Sequence, residues 1–437
     1  MKLRSVTIIV SVLLAIGHAQ AQSWDLQKCI DYALENNIQI KQQQLNTDYY
    51  RNELKQSKNN RLPSINGSLS NSFSFGRSQQ ADGTYDNFNS NTTSAGLNGS
   101  LPLWNGFILN HSVEQAEFNL KATLEDLQKA KDDMMLNIAA YYLEILLADE
   151  LIQVAKDQMA VTTLQIDRTR KLVQAGSLAK GSLLEIEAQH AQEELNLVNA
   201  ENRQQLAYLN LFQLLELPST QTFTIGKPVL PVVTANRTML NSMEIFRHAV
   251  QIRPAVKSAV FELEASQKQL SIAKGSLYPS LSLGASYSNW YNNKYPSGFS
   301  DQKKNNESYG FGLNMSIPIF NKLQVRNQIN NAELQMMSKE LEVQNVKNLL
   351  RKDIEQAYTN ALAALKKYMA GNKAVESMQE AFRYTEEKFS VGMVNSVEYN
   401  QAKNNLTSAQ SDLAQAKYDY IFRTKILDFY YGLPIEL

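Results

Sequence analysis

Four segments of this chain alternate large apolar side chains with small polar ones, and no other feature limits the possible folds as strongly. In the last segment, from Tyr309 to Ile319, every second residue is apolar, and the residues between are Gly, Asn, Ser and Pro. Strict alternation predicts β-strands, because successive side chains of a strand point to opposite faces of the sheet. The four segments are 63–76, 93–104, 279–291 and 309–319.

The polar face indicates which solvent surrounds these strands. A half-buried sheet of a soluble sandwich would alternate in the same way. Here, however, the polar faces carry almost only Ser, Gly and Asn, without a Lys or Glu to solubilise an outer surface. Each segment also has about the length of a tilted strand that crosses a bilayer, and aromatic residues gather near the strand ends. We therefore expect the apolar face to meet lipid and the polar face to line water.

Four strands are too few to close a membrane barrel. Unpaired strand edges are not tolerated in hydrocarbon, and a barrel needs about eight or more strands. Several copies of the chain must therefore share one barrel, with eight strands from two copies or twelve from three. In such a barrel we expect segment 93–104 of one protomer to lie close to segment 279–291 of another.

Most of the remaining chain has the pattern of long helices. Between Ile108 and Ala175 there is no Gly or Pro, and apolar residues recur at spacings of three, four and seven, as in a coiled coil. A helix of that length spans about 100 Å at a rise of about 1.5 Å per residue. Shorter helices are predicted at 24–60 and 182–217, so one long helix can lie beside two short ones. The expected product is an elongated helical body.

The sequence contains an internal duplication at an offset of 216 residues. RLPSI at 61–65 aligns with LYPSL at 277–281, and the rest of the chain aligns in the same register. We divide the mature chain into repeat 1 at 22–218, a linker at 219–239 and repeat 2 at 240–437. Each repeat has the order helix, strand, strand, long helix, helix. In repeat 2 the long helix begins at Lys322, and Gly371-Asn372 is a candidate kink.

The first residues predict export. Residues 1–21 combine a basic start, an apolar stretch and the triplet Ala-Gln-Ala at 19–21, as a secretory signal peptide does. The chain has 43 basic and 43 acidic residues, so its charge implies no nucleic-acid partner. The single cysteine, Cys29, excludes a disulfide framework, and we expect it to pack in a helix as a small apolar residue.

Together these features resemble the TolC family of outer-membrane efflux channels. LQKCIDYALENN at 26–37 is similar to the family's N-terminal helix, with Cys29 where the family usually has Ala. HAVQIRPAV at 248–256 resembles the start of the family's second repeat, and LPLWNG and IPIFNK resemble its strand-to-helix junctions. The segments that begin at Gln174 and Ser390 resemble its two helical-tip turns. The match covers nearly all of the mature chain.

The resemblance implies a membrane protein of the α+β class. A long α-helical barrel would join a 12-stranded β-barrel shared by a homotrimer, with four strands from each protomer. The β-barrel would lie in the cell outer membrane and the helical barrel in the periplasm, where a periplasmic adaptor (a membrane fusion protein) would connect it to an inner-membrane pump. The implied function is the exit duct of a tripartite efflux or type I secretion system. Because a channel wall selects weakly, specificity for cargo is expected in the partners.

The two tip turns carry the first group of candidate functional residues. Gly176 and Gly392 end the long helices, and the plain interpretation is a left-handed residue that closes each helix. The family's tip-locking arginine, two residues past the second glycine, is Val394 here, so the resemblance does not carry such a lock over. It does imply that the adaptor docks on Ala175, Gly176, Ser177, Leu178, Val391, Gly392, Met393 and Val394.

Acidic residues beside the turns are candidates for a periplasmic constriction. Family members often carry two acidic residues three apart, in a ring that narrows the tip and binds cations. This chain has Glu398 and then Gln401, and Glu185 of repeat 1 is the candidate to supplement them. The alternative is helix capping, because Glu185 and Glu398 each follow a Ser or Asn by three residues, the spacing of a capping box.

No pattern in the sequence predicts an enzyme, a cofactor or a metal site. The histidines at 111, 190 and 248 are isolated from one another, and neither a Gly-rich phosphate loop nor a nucleophile elbow occurs. Two alternatives to a channel remain open from the residues alone. One is a structural or adhesive helical stalk anchored by a β-barrel, and the other is a soluble exported enzyme with an unrecognised site.

Overall fold

A computed structural model describes residues 23–437, except for 80–82, 88, 219–222, 232 and 234–240. The signal peptide predicted at 1–21 and about half of the linker predicted at 219–239 lie outside the described residues. The helices of the described chain are α1 (Leu26–Asn36), α2 (Ile38–Asn59), α3 (Ile108–Gln174), α4 (Lys180–Leu215), α5 (Ser242–Ile252), α6 (Pro254–Gly275), α7 (Phe299–Asn305), α8 (Gln324–Ser390) and α9 (Ser396–Tyr431). The strands are β1 (Ser23–Trp24), β2 (Ser64–Ser74), β3 (Arg77–Gln79), β4 (Tyr85–Asn87), β5 (Ser90–Trp104), β6 (Thr224–Ile225), β7 (Ser280–Asn292) and β8 (Ser308–Ser316).

Two compact units divide the described chain, and both repeats contribute to each. The helical unit contains the described residues up to Gln44, Leu127–Val256 and Lys347–Leu437. The sheet unit contains Leu45–Asp126 and Lys257–Val346. No described helix has a stretch that is both long enough and apolar enough to span a membrane.

The sheet unit contains a four-stranded antiparallel sheet in the order β2-β5-β7-β8. β5 pairs with β7 inside one chain, with Gly99 opposite Ala285 and Leu97 opposite Tyr287. The expectation that segments 93–104 and 279–291 meet between protomers is therefore wrong. Each repeat contributes one hairpin, and the second strand of the first hairpin pairs with the first strand of the second. Consequently the open edges of this sheet are β2 and β8.

The register of the sheet separates the two kinds of side chain as the alternation predicts. One row across the sheet is Ile65–Gly99–Ala285–Phe311, and an adjacent row on the opposite face is Asn66–Asn98–Ser286–Gly310. No residue in the four strands is charged. Apolar side chains on the first face are uncovered within the described chain; the side chain of Phe311, for example, is 90% exposed.

The long helices agree with the sequence pattern, apart from the candidate kink. α3 ends at Gln174, one residue before the predicted end, and α4 begins two residues earlier than predicted. α8 runs unbroken through Gly371 to Ser390, so the kink is not observed. A Cβ atom at Gly371 would lie 3.4 Å from the side chain of Leu413 in α9. The glycine therefore lies where these two helices approach closely, rather than where a helix bends.

The helix predicted at 24–60 is two helices, and the same break occurs in both repeats. Asn37 separates α1 from α2; its side chain accepts a hydrogen bond from the Gln39 amide at 2.8 Å and donates one to the Leu214 carbonyl at 2.9 Å. Arg253 lies 216 residues later and separates α5 from α6. Pro254 begins α6, because a missing N–H costs nothing at the first helical position. The apolar spacing continues across both breaks, so periodicity alone predicts a single helix.

The core of the helical unit gathers apolar residues from α1, α3, α4 and α9. Cys29 is fully buried there, as expected, and burial raises the pKa of its thiol to about 12. Trp24 does not start the first helix; it lies in β1, which pairs with β6, and Asp25 caps α1 by accepting from the Lys28 amide at 2.7 Å. The buried Tyr142 hydroxyl donates to the Gly226 carbonyl at 2.7 Å, which fixes the end of β6 against α3.

Candidate functional site

The turn between α3 and α4 is a closed helix C-terminus with a glycine in the left-handed conformation. Gly176 has φ +73°. Its amide donates to the Val173 carbonyl at 3.0 Å, and the Ser177 amide donates to the Leu172 carbonyl at 2.9 Å. This pair of bonds is a Schellman motif, which satisfies carbonyls that the helix end would otherwise leave unpaired.

The turn between α8 and α9 repeats that geometry. Gly392 has φ +77°, and its amide donates to the Phe389 carbonyl at 3.1 Å. The Met393 amide donates to the Lys388 carbonyl at 2.9 Å. The plain interpretation of both glycines is therefore confirmed, and it leaves the outer surfaces of the turns free for another role.

Most of the eight turn residues are exposed in the described chain. The side chains of Val391 and Met393 are 69% and 74% exposed. Leu178 and Val394, which are equivalent residues of the two repeats, are half-buried. Each turn thus presents its first three positions outward and anchors the fourth.

Replacing Gly392 with alanine is expected to loosen the end of α8. A side chain in the left-handed region costs about 1–2 kcal/mol. Hydrogen exchange of the amides in the last turn of α8 should therefore become about 5- to 30-fold faster. Gly181→Ala is the matched control, because Gly181 lies inside α4 with open space around an added Cβ, and alanine there is neutral or stabilising. Equal effects of the two substitutions would contradict a conformational role for Gly392.

The structure places the three constriction candidates at the starts of α4 and α9. Glu398 and Gln401 are exposed on the first two turns of α9, and Gln401 donates to the Asn405 side chain at 2.9 Å. The carboxylate of Glu185 in α4 accepts a hydrogen bond from the hydroxyl of Ser396, the first residue of α9. The structure therefore brings Glu185 of repeat 1 beside the helix start that carries Glu398 of repeat 2.

Of the two predicted capping interactions, the one at Asn395 forms and the one at Ser182 does not. Asn395 caps α9 and accepts a hydrogen bond from the Glu398 amide at 2.9 Å. α4 is preceded by Ala179, which has no capping side chain, so Ser182 lies inside the first turn and is not a cap. The prediction for Ser182 is wrong because α4 begins three residues earlier than a cap at Ser182 indicates.

A buried ion pair near the turns was not predicted from the sequence. Lys403 of α9 donates to Glu193 of α4 at 2.9 Å and to the Gln158 carbonyl of α3 at 2.8 Å. It also bonds the hydroxyl of Thr162, which in turn donates to Glu193 at 2.5 Å. The side chains of Lys403 and Glu193 are 1% and 7% exposed. One cluster therefore ties three helices from both repeats together.

Burial dominates the electrostatics of this cluster. Removal from water lowers the pKa of Lys403, and the hydrogen bond to Glu193 partly offsets that effect. A buried charge is tolerated only when its partner is present, and loss of one partner leaves an uncompensated charge. The sequence does contain a signal for the cluster, since Lys403 lies between Tyr399 and Leu406 at the helical spacing of buried residues.

Two further contacts hold the ends of the long helices. The Arg168 guanidinium on α3 donates to the carbonyl of Ser390, the last residue of α8, at 3.2 Å. The ring of Tyr399 packs between Phe382 and Phe389, with ring centroids 5.4 and 4.8 Å away. The turn at Gly392 is therefore supported from α3 and from α9.

The model of the family described as "Outer membrane efflux protein" matches residues 29–216 and 246–432, which follow the two repeats. Outer membrane protein TolC of Vibrio cholerae is 23% identical over 412 residues, covering 93% of this chain and 91% of that protein. The alkaline protease secretion protein AprF of Pseudomonas aeruginosa is 22% identical, covering 71% of this chain and 64% of that protein.

Solved structures share the fold. The transmembrane channel protein CusC superposes with a TM-score of 0.81 at 19% identity, covering 94% of this chain and 92% of that chain. The outer membrane protein VceC of Vibrio cholerae superposes with a TM-score of 0.80 at 17% identity, covering 94% and 97%. Since the family model matches most of its length in two successive copies, the chain belongs to the outer membrane efflux protein family.

Proposed function

We propose that three copies of this chain form a channel through the outer membrane, which serves as the exit duct of a tripartite efflux or type I secretion system. Each copy contributes four strands to a shared barrel of twelve. A periplasmic adaptor and an inner-membrane pump complete the route. The role is transport, without a catalytic step.

The observation that carries this proposal is the open sheet. Among the residues that the structure describes, no further strand pairs with its two edges and nothing covers its apolar face, and its other face is polar without charge. Hydrocarbon can cover the apolar face, but it cannot satisfy free edges, so the edges need further strands. β2 of one copy beside β8 of the next provides those strands and closes the ring. A stalk without a lumen would need no continuous polar face.

The names of relatives support export as the purpose of the channel. One relative, 24% identical over 340 residues, is the "Toxin and drug export protein A" of Aggregatibacter actinomycetemcomitans. Another, 20% identical over 436 residues, is the "Proteases secretion protein PrtF" of Dickeya chrysanthemi. We infer that cargo of this kind, small molecules or secreted proteins, passes through the lumen of the present protein.

We further propose distinct roles for the two groups of tip residues. The exposed turns at 175–178 and 391–394 dock the adaptor, and Glu185, Glu398 and Gln401 line the periplasmic constriction. We propose that the two repeats span 22–218 and 240–437. The two turns occupy equivalent positions in these repeats, which supports a shared role for them. Exposure of Glu398 and proximity of Glu185 to the start of α9 support a shared acidic rim.

Conductance of the purified protein in planar bilayers tests the channel and its constriction together. We expect discrete pores that prefer cations, because carboxylates at a narrow point attract them. Glu398→Gln should lower the cation preference, and Glu185→Gln should add to that effect. Glu340→Gln is the matched control, because it removes an exposed carboxylate on α8 away from the turns.

The possible results separate the two claims. Absence of pores from a folded, membrane-inserted protein would contradict the channel. Pores whose cation preference is unchanged by both tip substitutions would contradict the constriction and leave the channel intact. A similar loss of preference in the Glu340 variant would assign the preference to overall charge.

A further inference from the structure

The connection between β7 and β8 is a folded element. α7 lies within it, and the buried Gln302 side chain accepts a hydrogen bond from the Asn292 amide at 2.9 Å. The Gln302 amide group also donates to the carbonyls of Asn292 and Ser297, at 2.9 and 2.7 Å. Asn306 donates to the Trp290 carbonyl at 2.8 Å. These bonds fix the whole connection on the end of β7.

The position of α7 relative to the apolar face follows from the register. On that face, toward the α7 end of the sheet, the row Gly67–Leu97–Tyr287–Tyr309 is the last one before Asn and Thr side chains occur. The next row contains Asn289, and the row after it contains Asn71, Thr93 and Tyr291. Tyr287 and Tyr309 stack with ring centroids 6.1 Å apart. Tyrosines at the border of an apolar band are typical of the membrane–water interface.

α7 contacts the two rows that lie just beyond this border. The Asn289 side chain donates to the Lys303 carbonyl at 2.6 Å. The ring of Phe299 packs edge-on against Tyr291, with centroids 5.3 Å apart. Asn289 and Tyr291 both point to the apolar face, so α7 lies on the side of the sheet that meets lipid. In the proposed channel this position would put α7 at the level of the headgroups rather than that of the acyl chains.

The exposed surface of this connection combines aromatic and cationic groups. The side chain of Phe299 is 63% exposed. The connection has three exposed lysines, Lys294, Lys303 and Lys304, and two acidic residues, Asp301 and Glu307. Lysine stems can lie along apolar surface while their ammonium groups reach phosphates in the headgroup layer.

We propose that α7 and its flanking loops, residues 293–307, bind the phosphate headgroups of anionic lipids in the outer leaflet. Phe299 enters the border of the acyl region, and Lys303 and Lys304 pair with phosphates around the barrel. The described part of the corresponding connection in repeat 1, residues 75–79, 83–87 and 89, contains one basic residue, Arg77, so this surface belongs to repeat 2. The inference rests on the proposed function, since it requires the sheet to lie in a membrane.

Lipid binding to the purified oligomer tests the proposal. Native mass spectrometry in a non-ionic detergent would measure dissociation constants for phosphatidylglycerol and for phosphatidylcholine. We expect the wild-type protein to prefer phosphatidylglycerol. The double substitution Lys303→Gln/Lys304→Gln should reduce that preference by about 30-fold, because a lysine near an anionic surface contributes about a factor of five. Raising the salt to about 0.5 M should weaken the wild-type preference without any substitution.

The control is Lys366→Gln/Lys367→Gln, which removes two adjacent exposed lysines from α8. It should leave the preference unchanged. No preference in the wild type, an unchanged preference in the α7 variant, or an equal loss in the control would each overturn the proposal. So would displacement of phosphatidylglycerol by millimolar inorganic phosphate, since the surface would then take free anions.

Conductance of the same variants separates this inference from the proposed function. Pores that conduct normally without a lipid preference would remove only the headgroup surface. A protein that never inserts or conducts would remove the channel and this surface together.

Discussion

Arginine in place of Leu313 is expected to prevent insertion of the protein, whereas arginine in place of its neighbour Asn314 should be tolerated. The two residues are adjacent in β8 and point to opposite faces of the sheet. Leu313 is 65% exposed within the protomer and faces lipid in the proposed channel, and Asn314 faces the lumen. The two arginine variants therefore compare lipid with luminal water as the surroundings of the same side chain at one depth in the membrane.

The expected difference is large because lipid cannot solvate a guanidinium. Arginine on the lipid face near the middle of a membrane barrel costs about 2–4 kcal/mol. In a trimer the cost is incurred three times, and unfolded protein is removed by proteases. In the lumen, water solvates the same side chain, so the cost there is small.

The measurement is the amount of assembled oligomer in the outer-membrane fraction of cells that make each variant at equal levels. We expect almost none for Leu313→Arg and an amount close to wild type for Asn314→Arg. Equal tolerance of both substitutions would show that this face of the sheet is not immersed in lipid. The reverse order would show that the lumen and lipid faces are exchanged.

Replacing Lys403 with methionine should destabilise the packing of α9 on α3 and α4. The substitution leaves the Glu193 carboxylate buried without its partner, which typically costs about 3–5 kcal/mol. The double variant Glu193→Leu/Lys403→Met removes both charges, and its stability should return close to that of the wild type. The recovery matters more than the initial loss, because a simple packing defect would not be rescued by a second substitution.

Hydrogen exchange of the α9 amides around Lys403 measures this effect locally, without assuming two-state unfolding. An increase of more than about 100-fold is expected for the single variant. Lys417→Met is the matched control, since Lys417 also lies on α9 and pairs with Glu150 at 3.1 Å, but both side chains are about one-third exposed. An exposed pair contributes about 1 kcal/mol or less. If the two lysines behave alike, burial is not what makes the Lys403 pair important.

The strands and the long helices were predictable because each depends on a short-range pattern. Side chains of a strand alternate regardless of what surrounds it, so the alternation identified all four long strands. It did not identify their neighbours, and the expectation for segments 93–104 and 279–291 was wrong for that reason. Which hairpin lies beside which is decided by contacts between residues almost 200 positions apart.

The turns at Gly176 and Gly392 were predictable as well, because a glycine that ends a long helical pattern acts locally. The placement of Glu185 was not. Its three-residue spacing from Ser182 indicates a cap, yet its carboxylate bonds Ser396 of the other repeat. Sequence spacing cannot distinguish a Glu185 side chain that caps its own helix from one that bonds a residue of another helix, since both arrangements use the same side chain at the start of a helix.

By itself the sequence determined the duplication, the alternating strands, the uninterrupted helices and the glycine turns, because these depend on residues close together in the chain. Only the tertiary structure decided the order of the strands, the breaks at Asn37 and Arg253, and the burial of Lys403 against Glu193. Each of these depends on which distant group removes a side chain from water or supplies its missing hydrogen bond. The sequence contains only the alternating pattern of each strand, and packing in the folded protein selects which strands pair.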